Sequence, residues 1–189
     1  MKRCLTIFLT LSLLLAALFA PARAEGAYVA ASTPLGDSAA RVSNIRLAAG
    51  AINGVFVPYG GSFSFNGAVG ARTAERGYQS AVNGRGVAVT GGGVAQVASA
   101  VWLAVKDMAD IAIVEKSTYG SRYNQDYVSS SADAILTDYN AGTDFSFRYT
   151  GAGSVTIQTY LSGDTLTCRV TGGADTGTVP SFSDDPVWW

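Results

Sequence analysis

The glycine run Gly91-Gly92-Gly93 leads straight into an apolar stretch that begins Val94-Ala95-Gln96. Glycines ahead of a helix leave its first backbone N–H groups free at the positive end of the helix dipole, where an anion such as a carboxylate can bind. Gln96, in the first turn, carries an amide able to pair with a peptide group. Upstream, Arg72, Thr73, Glu75 and Arg76 crowd polar groups into one place. The plainer reading stands beside this one: the glycines let the helix pack closely, and Arg72 pairs with Glu75 or Asp144.

Nucleophilic chemistry is poorly supplied. The chain has no histidine, which excludes Ser-His, Cys-His and His-metal arrangements within it. Ser99 lies one turn beyond Ala95 on the same helix face, with Lys106 two further turns away, so it reads as a buried serine bonded to backbone. Cys168 alternates with Leu166 and Val170 and belongs on the buried face of a strand, as an inert thiol. No catalytic residue, metal ligand or cofactor is assigned.

These residues must be positioned by an α+β domain, with two main helices packed on an antiparallel β-meander. Asp37 or Ser38 caps a first helix with Val42, Ile45, Ala49 and Ile52 at helical spacing, ended by Asn53-Gly54. Val55 to Pro58 is a short strand, and Phe63-Ser64-Phe65-Asn66 alternates as another. Val87 to Val89 is a strand before the glycines. The second helix runs from about Val94 to Met108 with a wide apolar face, hence central and buried. Strands then follow at Ile111 to Val114, Ala134 to Leu136, Asp144 to Tyr149, Ser154 to Tyr160 and Thr165 to Val170.

The ends have a different chemistry. Lys2 and Arg3, an apolar segment from Leu5 to Ala20, and Ala22-Arg23-Ala24 form the pattern of a cleavable signal peptide over residues 1–24, cut after Ala24. The protein is therefore expected to be secreted or extracytoplasmic, with no transmembrane anchor left after cleavage. Residues 25–36 read as a flexible lead-in, and residues 171–189 as a polar tail ending in Trp188 and Trp189, two rings suited to docking on a protein partner. Without the leader, ten basic residues face fourteen acidic ones. That balance, with no basic cluster, argues against nucleic acid.

Three stretches together resemble the VanW family, named after an accessory protein of vancomycin-resistance clusters. They are Arg41 to Ala49 with Ile52-Asn53-Gly54 and Phe63 to Asn66; Val69 to Tyr78; and Gly91 to Ser99 followed by the apolar helix and Glu115. Asp144 to Arg148 is a weaker echo. The resemblance covers residues 37–170. It implies a cysteine at the position of Ala95 and a histidine within the segment after Glu115; both are missing here. A thiol at a helix N-terminus, with donors for an oxyanion, would be a nucleophile site; Ala95 removes it.

What the resemblance leaves is a binding site. Arg72 and Arg76 would form a charged fork for a carboxylate, such as the one that ends a D-Ala-terminated peptide of peptidoglycan. The candidate ligand-binding residues are Arg72, Glu75, Arg76, Gly91, Gly92, Gly93, Gln96 and Asp144. A non-catalytic cell-wall or partner-binding module is the expected function. The alternatives are an enzyme acting on peptidoglycan peptides through Glu75, Asp144 or Ser99, and an assembly partner using the C-terminal tryptophans.

Overall fold

A computed structural model describes residues 28–173; the expected leader, its expected cleavage site and the two C-terminal tryptophans lie outside them. Three antiparallel sheets and two long helices make a single α+β domain. The first sheet comprises β1 (Tyr28–Pro34), β9 (Thr165–Gly173), β8 (Ser154–Ser162) and β2 (Val55–Pro58), in that order across the sheet. The second comprises β3 (Ser62–Ser64), β7 (Phe145–Tyr149) and β6 (Ile111–Lys116), also in that order. A separate hairpin joins β4 (Ser80–Val82) to β5 (Ala88–Thr90). The strands of the last third are thus shared between two sheets, and only β8 and β9 form a hairpin of neighbours.

Helix α1 (Ala39–Ile52) starts where Ser38 Oγ accepts the Arg41 N–H and ends at Asn53 and Gly54, as their residue types predict. Ile45, Ala48, Ala49 and Ile52 face the core. Helix α3 (Val94–Val105) is buried on nearly every side, with Val97, Ala98, Ala100, Val101 and Val105 inaccessible. It lies between α1 and the β1–β9 edge of the first sheet. Phe63, Phe65, Phe145 and Phe147 fill the other end of the core, with the Phe63 and Phe147 rings 5.2 Å apart.

Three expectations change. Residues 28–34, read as part of a flexible lead-in, form β1, paired along its length with β9 from Tyr28↔Thr171 to Pro34↔Thr165. Its small residues carry little strand signal, and the pairing surface comes from the far end of the chain. Phe63 to Asn66 is strand only to Ser64; Phe65–Val69 is a short helix, α2. Ser64 Oγ accepts the Gly67 N–H, and Asp144 Oδ1 accepts the Asn66 N–H, so the helix start is capped twice. Ala134 to Leu136 makes one isolated bridge, Thr118↔Ile135, in place of a strand. Among the described residues, no helix is long and apolar enough to cross a membrane.

Candidate functional site

A cavity of about 500 Å³ opens at the N-terminus of α3. Its floor is Gly91, Gly93, Val94 and Ala95; the hairpin gives one wall through Asn83, Arg85, Val89 and Thr90; the 136–143 loop gives the other. Tyr119 and Arg72 complete it. The size suits a small ligand or the end of a larger one.

The glycines build this floor by close approach. A Cβ on Gly92 would sit 1.8 Å from the Ala81 carbonyl oxygen, so no other residue fits there. Gly93 caps the helix with φ +100°, a conformation glycine adopts without strain. Asn44 fixes the turn from beneath: its amide donates to the Gly92 and Gln79 carbonyls, and its oxygen accepts the Gln79 N–H. Several amides expected to be open are already used. Gly91 donates to Gln79, Gly92 to Val89, Val94 to Gly91 and Gln96 to Gly93. The turn is mainly a packing device, with Gly91, Gly93 and Ala95 lining the cavity and Gly92 buried behind them.

Arg72 is the charged group that stands ready. Its Cζ lies 5.6 Å from the Phe65 ring centroid and 5.9 Å from that of Tyr139. Both Nη atoms are buried, yet among the described residues neither has a hydrogen-bond partner. No carboxylate there comes within ion-pair range, so the expected pairing with Glu75 or Asp144 does not form. Burial pushes the guanidinium below its ordinary pKa, against the opposing pull of Tyr78, Asp144 and Asp138 at longer range. Arg85 adds a second cation, its Cζ 6.0 Å from the Tyr119 ring. Asp138 is the acidic residue of the wall, and its Oδ1 accepts the Asn140 and Ala141 N–H groups. Two cations against one carboxylate favour an anion.

The remaining candidates lie elsewhere. Gln96 is fully buried and turned from the cavity: Oε1 accepts from Arg41 Nη2 at 2.5 Å, and Nε2 donates to Thr33 Oγ1 and the Pro34 carbonyl. Its amide holds β1 to α3 and has nothing left for a ligand. Asp144 is a structural knot. Its carboxylate accepts from Ser64 Oγ and from the Asn66 and Phe145 N–H groups, while its own N–H donates to Glu115 Oε1. Glu75 is exposed in a short 3-10 turn, Ala74–Arg76, its pKa lowered by its own backbone N–H and by Thr73. Arg76 donates to the Ala71 carbonyl, outside the cavity lining. Ser99 Oγ donates to the Ala95 carbonyl and accepts the Ile135 N–H, as a buried helix serine does. Cys168 is inaccessible, and burial pushes its thiol up to about 12.

Of the eight candidates, Arg72, Gly91 and Gly93 thus meet at the cavity, and Glu75, Arg76, Gly92, Gln96 and Asp144 do not. Sequence reasoning missed Arg85, Asp138, Tyr119 and Tyr139, which reach the wall from separate loops. Arg41 and Asn44 are the polar residues of α1 that the fold buries. Their spacing with Ile45, Ala48 and Ile52 places them on the buried stripe of α1, and that was the available signal.

Fold and site define a small α+β domain with an arginine-walled pocket over a glycine-capped, buried helix. The chain belongs to the VanW family: the family model described as "VanW like protein" matches residues 40–171. No curated protein and no solved structure matches it. The residue expected to be the family's cysteine, Ala95, lies on the cavity floor.

Proposed function

We propose that this VanW-like protein is exported and binds, without catalysis, a carboxylate-bearing peptide of the cell wall. One observation supports this above the others: Arg72 lines the cavity, and both its Nη atoms are buried with no hydrogen-bond partner and no counterion among the described residues. An unpaired buried cation is unfavourable, and an incoming carboxylate offsets that cost with two charge-assisted hydrogen bonds. Ala95 on the floor supplies no nucleophile, and Ser99, Glu75 and Asp144 do not converge on the cavity. The leader pattern of residues 1–24 supports export, and the wall is where a D-Ala-terminated peptide presents its carboxylate. The link to vancomycin resistance rests on the family's name.

The reading is tested by calorimetric titration of muropeptides into the purified protein. Arg72→Ala should weaken binding by about 2 kcal/mol, roughly thirtyfold. No heat and no cosedimentation with wall fragments would rule it out.

A further inference from the structure

The hairpin beside the cavity has an edge that no strand among the described residues covers. Gly91 donates to the Gln79 carbonyl and Asn83 to the Val87 carbonyl, so the hydrogen-bonded pairs of this hairpin fall at 79–91, 81–89 and 83–87. Ala88 and Thr90 occupy the intervening positions, and their N–H and C=O groups point away from β4. Both residues are exposed, and no strand among the described residues pairs with that side of β5. Strand edges of this kind accept an extended peptide by main-chain pairing.

The edge leads directly to the cation. Val89 and Thr90 line the same cavity as Arg72, and a Cβ on Gly91 would stand 2.7 Å from Arg72 Cβ. We infer that the ligand is an extended peptide with a free carboxyl terminus that adds to β5 in the parallel sense. One of its residues donates to the Ala88 carbonyl and accepts the Thr90 N–H. A strand advances about 3.3 Å per residue, so a terminal carboxylate one or two residues further on reaches the Arg72 end of the cavity. An antiparallel peptide would bring its ammonium terminus to Arg72, which sets the direction. The inference rests on the carboxylate-binding reading above and specifies which main chain carries that carboxylate.

The test uses three probes: an alanine pentapeptide with a free carboxyl terminus, its C-terminal amide, and the same peptide ending in two D-alanines. Hydrogen exchange by NMR reads the Thr90 and Ala88 amides, and calorimetry gives affinity. A free acid should slow Thr90 exchange at least about tenfold, and the amide form should bind at least about tenfold more weakly. Protection by the D-terminated peptide assigns the ligand to wall stems; protection by the all-L peptide alone assigns a protein C-terminus. Arg72-dependent binding that leaves Thr90 and Ala88 exchange unchanged overturns strand addition and leaves the carboxylate pocket standing. Protection by acid and amide with equal affinity overturns the parallel direction and the carboxylate reading with it. Absence of binding by every probe at millimolar concentration overturns both.

Discussion

Arg41 and Arg72 are both arginines taken largely out of water, and burial lowers the pKa of each. They end in opposite situations. Arg41 Nη1 donates to the Leu35 carbonyl at 2.7 Å and Nη2 to Gln96 Oε1, and its Cζ lies 5.3 Å from the Tyr127 ring centroid; only Nε is left without a partner. Arg72 has aromatic neighbours but, among the described residues, no acceptor for either Nη, and it lines a cavity. The first is consumed in holding β1 and α1 against α3. The second is poised for an acceptor that no described residue supplies. Burial alone therefore does not distinguish a structural cation from a recognition cation; the state of its donors does.

The comparison can be broken at several points. Gln96→Ala removes an acceptor from Arg41 and a donor from Thr33 and Pro34. The loss of stability should be about 3 kcal/mol, since each buried polar group left unmatched costs about 1–3 kcal/mol; urea unfolding measures it. A cost under about 1 kcal/mol would mean that Arg41 is not held as described. Asp144→Ala leaves the α2 cap and the β7 start unsatisfied and should cost about 2 kcal/mol in the same assay, without changing ligand affinity. A selective loss of affinity with intact stability would return Asp144 to the site.

Ala95→Cys probes the positive field at the cavity floor. A thiol there, at a helix N-terminus and in the cavity that Arg72 also lines, should titrate below the ordinary value of about 8.5, and its iodoacetamide labelling rate against pH shows where. Wild-type Cys168, pushed up to about 12 and inaccessible, should stay unlabelled in the folded protein. Labelling of the new thiol only above pH 8.5 would contradict the assigned field. The smallest effect belongs to Glu75→Gln: an exposed carboxylate outside the cavity should change stability and binding by less than about 0.5 kcal/mol.

Local pattern made part of this legible. The Ser38 cap, the Asn53-Gly54 stop, the buried α3 and the alternation that buries Cys168 all follow from spacing and residue type, because neighbours in sequence set them. What escaped depends on partners far along the chain. β1 is a strand because β9 lies beside it, with Tyr28 opposite Thr171. The α2 turn closes because Asp144 reaches back to Asn66. Gln96 and Ala95 are adjacent, but a helix turns 100° per residue: Ala95 faces the cavity, whereas Gln96 faces β1. No periodicity says which side of a buried helix holds the ligand. Arg72 was found by its chemistry, while its cavity is assembled from the 83–90 hairpin and the 136–143 loop, which only tertiary packing brings together.

The contrast between the two arginines is tested most directly by paired unfolding curves of Arg72→Met and Arg41→Met without ligand. Methionine keeps most of the side-chain volume and removes the charge. Relief of an unpaired buried cation should leave Arg72→Met as stable as wild type or more so, while Arg41→Met loses at least about 2 kcal/mol as Leu35 and Gln96 lose their donor. A loss from Arg72→Met as large as that from Arg41→Met would show that Arg72 is structural, and the binding reading would fall with it.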